Sequence, residues 1–214
     1  KGERIGSGGA VLNVIRYILE SGESITGKKI LVINSGGNSK RIPQYSACGK
    51  LFSTIPRETK GGYVSTIFDE LLVSASGIPV RIKDGIMIFP SDTLMLFNPL
   101  QLDLIACDAA GLSIKVPVQE GQEHGVFVQG NSSYDGFNKC VSGFLHKQPE
   151  HILRARGAVD SANNVDLDTG CTWLGEKVVN RLIGLICDGE KINADVFEKF
   201  VNPKVCLNFY ADFV

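Results

Sequence analysis

The sequence predicts an α/β fold with a mostly parallel central sheet and flanking helices, and three observations carry that prediction. The runs Ile30-Leu31-Val32-Ile33 and Ile86-Met87-Ile88-Phe89 lack the polar alternation of a half-exposed strand and read as strands buried on both faces. Stretches with helical apolar spacing, over Val11 to Leu19, Tyr63 to Leu72 and Leu174 to Ile186, alternate with such strands. A chain of 214 residues with 43% hydrophobic and 21% charged content is long and apolar enough for one good core.

In chain order, Gly6-Ser7-Gly8-Gly9 opens the first helix, whose apolar positions Val11, Leu12, Val14, Ile15, Ile18 and Leu19 end near Gly22. A helix N-terminus presents unpaired N–H groups and can hold an anion; the same residues also make an ordinary start to a core helix. After the Ile30 to Ile33 strand, the helical segment Tyr63 to Leu72 is stopped by Gly77-Ile78-Pro79. The Ile86 to Phe89 strand ends at Pro90-Ser91-Asp92, where a carboxylate can hold a hard cation that bridges phosphates. Asp103 to Cys107, Gly125 to Val128 and Val141 to Leu145 read as further strands. Asp166-Leu167-Asp168-Thr169-Gly170 reads as an acidic turn leading into the helix of Leu174, Val178, Val179, Leu182, Ile183 and Ile186. Val196, Phe197, Phe200 and Val201 form a last short helix before Tyr210-Ala211-Asp212-Phe213.

A net charge of −1 argues against a dedicated nucleic-acid binder, which carries a basic surplus. No apolar run approaches the ~20 residues that span a bilayer, and no export signal opens the sequence, so the expected location is the cytoplasm. The six cysteines contain no Cys-x-x-Cys pair and read as reduced core thiols; the three histidines, His124, His146 and His151, lack metal-ligand spacing.

The chemistry points to the stretch after the first strand, Ser35-Gly36-Gly37-Asn38-Ser39-Lys40-Arg41-Ile42-Pro43, continuing to Gly49-Lys50. Adjacent glycines let backbone approach a ligand closely, and Ser39 with the main-chain N–H groups offers donors to phosphoryl oxygens. From Gly36 to Lys60 the bases Lys40, Arg41, Lys50, Arg57 and Lys60 face the single acid Glu58, an excess suited to a compact polyphosphate. It is not a Walker loop, because Gln44 stands where the first glycine belongs and Leu51 where Ser or Thr belongs. Nor is Gly6 to Val11 a dinucleotide fingerprint, since Val11 replaces the third glycine.

Gly-Gly-x-Ser-x-Arg-x-Pro, followed by Ser46-Ala47-x-Gly49-Lys50-x-Phe52 and Ile55-Pro56, resembles the signature of the fucose-1-phosphate guanylyltransferase family, a branch of the sugar nucleotidyltransferases. The resemblance extends through Gly6 to Gly9, Pro90-Ser91-Asp92, His124 to Val128, Phe144-Leu145-His146-Lys147 and Tyr210 to Phe213. It implies a GT-A or Rossmann-like nucleotidyltransferase domain over residues 1–214, belonging to a longer polypeptide in which a fused or C-terminal domain lies beyond these residues. It also implies small-molecule substrates, a sugar 1-phosphate and a nucleoside triphosphate, with fucose 1-phosphate and GTP as the family's pair, and no nucleic-acid or membrane partner.

Two polyanions must then be held together while charge builds on the α-phosphoryl group, so positioning and electrostatics carry the reaction. Arg41 is assigned to the triphosphate, as a planar fork, and Lys50 to the α-phosphoryl and leaving group, as a mobile charge. Asp92 is assigned to Mg²⁺ with a second carboxylate, Asp212 or Asp168; Asp212 fits the family pattern better, although Asn208 stands where a further aspartate is expected. The backbones of Gly8, Gly9, Gly36 and Gly37, with Ser39, would line the nucleotide side. His124 and Lys147 would face the sugar phosphate. Left open are another sugar or base, and a catalytically silent nucleotide-sugar-binding domain.

Overall fold

The computed structural model describes residues 5–35, 49–91, 93–102, 104, 107–133, 138–189, 191–207 and 209. It is a mixed α/β structure in which a six-stranded, mostly antiparallel sheet is flanked by helices. The strands of that sheet are β1 (Lys29–Asn34), β4 (Gly85–Pro90), β5 (Ala109–Pro117), β6 (Gly125–Ser133), β7 (Lys139–His146) and β8 (Asn164–Gly175). Their order is β1-β4-β8-β6-β7, with β5 on the free side of β8. Small ribbons are added by β2 (Thr54–Glu58) with β3 (Val64–Thr66), and by β9 (Cys187–Asp188) with β10 (Lys191–Ile192).

The expected mostly parallel sheet is corrected here: β1 and β4 run parallel, and every other described pairing in the sheet is antiparallel. A run that is apolar on both faces shows that both faces are covered and leaves the neighbour's direction open. Two elements produce the antiparallel half. The hairpin β6-β7 returns directly on itself, and the twelve-residue β8 runs against three strands at once. The acidic segment Asp166 to Gly170, expected as a turn, lies inside β8, and the helix after it begins at Glu176. Residues Val64 to Thr66 are strand, with the helix starting at Ile67. Leu104 and Cys107, the described parts of the expected Asp103 to Cys107 strand, lie outside any strand.

Helices α1 (Gly6–Glu20), α5 (Glu176–Ile186) and α6 (Ala194–Phe200) cover one face of β1 and β4, where Val11, Leu12 and Ile15 pack with Val32, Ile86, Ile88, Leu174 and Leu182. Helix α2 (Ile67–Ala75) covers the other face, against Met87, Phe89 and the fully buried Trp173. Below them, α3 (Val118–Gly121) and α4 (Glu150–Ala155) close a third cluster of Val118, Val126, Leu153 and Val165. Among the described residues no helix is long and apolar enough to cross a membrane. The five described cysteines are free, but the expected core placement holds for Cys171 alone: Cys107, Cys140 and Cys187 are half-buried and Cys206 is exposed, because a short apolar run does not by itself put each of its residues inside.

Candidate active site

The site is built where strands part. β4 pairs with β8 from Gly85–Gly175 to Ile88–Thr172, and then continues beside β1 while β8 continues beside β6 at Leu167 and Asp166. On that edge of β8 a notch is left at Asp168 to Cys171. The carboxyl end of β4 enters it from one side and the beginning of β6 from the other. A local irregularity accompanies it: β5 advances from Gly111 to Ser113 while β8 moves from Thr172 to Asp168. Gly170 takes φ +79, a region closed to most side chains. The Thr169 hydroxyl donates to the Leu112 carbonyl at 2.7 Å, which pins the bulge.

Of the expected site residues that are described, Lys50, His124 and Lys147 lie along this edge, whereas Gly8 and Gly9 lie in α1. Gly49 takes φ +80, and a Cβ there would stand 3.1 Å from the Ser35 hydroxyl, so Gly49 abuts the residue just past the carboxyl end of β1. Lys50 follows it in a 3-10 turn whose Leu51 is buried. The Ser91 N–H donates to the Asn34 carbonyl at 3.1 Å, tying the ends of β1 and β4 together. Across the notch, the Lys147 N–H donates to the His124 carbonyl at 2.9 Å, so the two residues close the mouth of the β6-β7 hairpin as a pair, both exposed. Lys147 takes φ +49, an uncommon conformation for a residue with a side chain; such strain gathers at functional positions.

Gly8 and Gly9 lie within the first turns of α1 and are buried. The Gly8 N–H donates to the Leu207 carbonyl at 3.0 Å, and the Ser7 hydroxyl accepts from the Phe209 N–H at 2.9 Å, so the start of α1 is stitched to the segment preceding Tyr210. Gly36, Gly37, Ser39, Arg41, Asp92 and Asp212 lie outside the described residues.

Asp168, which the sequence offered as an alternative metal ligand, stands in the notch. Its carboxylate accepts from the Gly170 N–H at 2.9 Å, and burial pushes its pKa up to about 6. Two residues along the same face, Asp166 is held by Gln129 and, at 3.2 Å, by Lys115, which also reaches Asp160 at 2.9 Å. Burial pushes the neighbouring Cys171 thiol up to about 12, so it is protonated and inert at neutral pH. Among the described residues no group of three or more potential metal ligands gathers. A cavity of about 610 Å³ lies at the opposite, amino ends of β1 and β4, lined by Lys29, Lys83, Asp84, Asp108 and Lys177 among others.

Comparison with known proteins places this geometry. Residues 22–214 match the family model described as the fucose pyrophosphorylase domain. The whole chain aligns at 25% identity with the bifunctional fucokinase/GDP-fucose pyrophosphorylase of Arabidopsis thaliana, covering 23% of that protein. It is 31% identical to the fucose-1-phosphate guanylyltransferase of Mus musculus over 68% of this chain and 26% of the relative. The corresponding Homo sapiens enzyme is 30% identical over 59% of this chain and 21% of the relative. The chain thus spans about a quarter of the length of the curated relatives it matches.

Proposed function

Because the chain belongs to the fucose pyrophosphorylase domain family, we propose that it carries the nucleotidyl-transfer site of a sugar-1-phosphate guanylyltransferase with a GT-A-like fold, acting in the cytoplasm. The names of the relatives point to fucose 1-phosphate and GTP as its substrates. One observation supports this reading above the others: Ser35 with Gly49-Lys50, the Pro90-Ser91 end of β4, Asp168, and the His124–Lys147 pair all belong to one edge of the sheet. Ligands gather beyond the carboxyl ends of parallel strands, and β1 with β4 is the parallel pair.

A phosphate oxygen of the sugar 1-phosphate attacks the α-phosphorus of the triphosphate. The bond from that phosphorus to the bridging oxygen breaks, and pyrophosphate leaves with the electron pair. Negative charge spreads over the α-phosphoryl and departing oxygens, so cationic side chains fixed beforehand lower the barrier. Lys50 takes the α-phosphoryl group and Arg41 the outer phosphates, with the Gly36-Gly37-Asn38-Ser39 backbone as the cradle. Lys147 holds the sugar phosphate from the opposite side of the notch, and His124 anchors it through the main chain.

Mg²⁺ is assigned to Asp92 and Asp212. Their carboxylate oxygens are the hard donors this ion takes, and Ser91, the residue before Asp92, is buried and bonded to Asn34 at the carboxyl end of β4. When bound, the ion neutralises phosphate charge. Replacing Arg41 and Lys50 together by alanine is expected to lower pyrophosphate release from GTP and fucose 1-phosphate by roughly two orders of magnitude or more. Normal release by that double variant would falsify the assignment. Asn208, standing where the family pattern has an aspartate, favours one second reading, a silent nucleotide-sugar-binding domain; silence of the unaltered chain with every triphosphate and sugar phosphate would establish it.

A further inference from the structure

Where β5, β8, β6 and β7 run together, over Ser113 to Pro117 and Asn164 to Asp168, the described helices α3 and α4 cover one face of the sheet. Val116, Val126, Val165 and Leu145 turn toward α3 and α4. Directly opposed residues of antiparallel strands share a face, so the pairs Lys115–Asp166, Phe127–Asp166, Phe127–Phe144 and Ser113–Asp168 place those side chains on the other face. None of them belongs to the three apolar clusters; Ser113 and Lys115 are exposed, Phe144 and Asp168 are half-buried, and Phe127 and Asp166 are buried.

One row of this face lies level with the notch. Carrying the β6-β8 register one residue past Val126–Leu167 sets Gly125 beside Asp168, and Gly125 pairs in turn with His146, next to Lys147. Gly125 has no side chain for a specific reason. A Cβ there would meet the Phe144 ring at 2.3 Å, so the ring closes over the glycine and packs edge-on against Phe127, centroids 5.3 Å apart. The row thus carries a half-buried carboxylate at one end, an aromatic ring in the middle and His146 at the other end, with Lys147 following just past the end of β7. The two strand spacings between β8 and β7 amount to about 10 Å. No base among the described residues pairs with Asp168, and its carboxylate has lone pairs beyond the one that Gly170 uses.

We propose that this row is the subsite for the sugar ring: Asp168 accepts hydrogen bonds from ring hydroxyls, the Phe144 ring over Gly125 forms its apolar floor, and the phosphate lies toward Lys147. A pyranose has this amphiphilic build, hydroxyl edges around apolar C–H patches, and an acceptor-only carboxylate beside an aromatic ring matches both parts. The assignment rests on the proposed function and deepens it. It makes Asp168 the residue that discriminates among sugars and takes it out of the metal shell, where the sequence alone left it as an alternative.

The test is calorimetric binding of fucose 1-phosphate to the chain without nucleotide, which does not depend on turnover, alongside steady-state kinetics. Asp168→Asn is expected to weaken fucose 1-phosphate binding about tenfold, the loss of one hydrogen bond to a charged acceptor, with KM for GTP and the Mg²⁺ dependence unchanged. Gly125→Ala, which displaces Phe144, is expected to weaken the same binding and to leave GTP untouched. Unaltered sugar-phosphate affinity in both variants, each shown by thermal melting to be folded, overturns the subsite. So does a shift in Mg²⁺ dependence of Asp168→Asn without a change for the sugar phosphate, because that marks a metal ligand. A chain that binds fucose 1-phosphate in the expected way yet releases no pyrophosphate upholds the subsite and removes the transferase reading.

Discussion

Asp168 shows what a binding residue costs the fold. Its carboxyl titrates near 6 in the folded chain against about 3.8 when exposed, because burial penalises the charged form. The folded state therefore holds this proton more tightly than the unfolded one. Stability from this group is fully present below pH 3.8 and is lost as pH rises through 6. An amide has no such charge to bury. Asp168→Asn is expected to melt higher than the parent at pH 7, by at most about 3 kcal/mol in stability, and to match it near pH 4. Melting curves of both proteins at the two pH values check this; equal differences at both would mean that the carboxyl is not desolvated. A variant more stable and weaker in sugar binding is the signature of a residue kept for a ligand.

At the scale of elements, the β2-β3 ribbon and α2 hold the Lys50 segment in place. The Ser53 N–H donates to the Lys50 carbonyl at 2.9 Å and the Ile67 N–H to the Ser53 carbonyl at 3.0 Å, so the 3-10 turn leads directly into the start of α2. Thr66 and Asp69 form a reciprocal capping box there. Behind it, Glu70 is 6% exposed and bound by Arg57 and, at 2.6 Å, by the buried Ser65 hydroxyl. Removing the carboxylate leaves Ser65 inside without its acceptor. Glu70→Ala should cost on the order of 2–4 kcal/mol in denaturant unfolding, whereas Glu58→Ala, in the same ribbon but exposed, should change little. Similar losses from both would show the ribbon to be held by its backbone alone.

The same elements show what the sequence made legible. Apolar runs announced β1, β4 and the cores of β6 and β7, and the 3.6-residue period announced α1 and α5, because one-dimensional pattern records burial. Strand direction leaves no such trace, so the sheet was expected parallel. β5 escaped because Ala109 to Pro117 mixes small, polar and half-exposed residues, and Asp166 to Gly170 looked like a turn because a bulge with a positive-φ glycine carries turn chemistry inside a strand. His124 and Lys147 were legible separately at strand ends, and only the β6-β7 pairing joins them. Asp168 was legible only as an alternative metal ligand; its place beside Gly125 follows from the β6-β8 register, which one-dimensional pattern does not record.

Among the described residues, two places suit a charged ligand, and they lie at opposite ends of the parallel pair β1-β4. The amino end has a cavity of about 610 Å³, with Lys29, Lys83 and Lys177 set among Asp84, Asp108 and Glu176, so its charges cancel; Lys177 is already paired with Asp108 at 2.9 Å, and Lys29 donates to the Pro79 carbonyl at 2.6 Å. The carboxyl end has Lys50 and Lys147 on the two sides of a notch, and Lys50 belongs to the stretch Gly36 to Lys60 where the sequence concentrates its basic excess. A triphosphate carries several negative charges and is drawn to a region of net positive charge, so the end that adjoins the basic stretch Gly36 to Lys60 is the favoured one. GTP with Mg²⁺ at about a hundredfold over its Kd should stabilise the fold by about 2.7 kcal/mol, roughly 5–10 °C in melting temperature for a chain of this size. ATP, UTP and CTP should give smaller shifts at equal concentration. Lys50→Ala should abolish the GTP shift and Lys83→Ala should leave it intact; the reverse pattern would move the nucleotide to the amino-end cavity and detach it from every residue assigned to the transfer reaction.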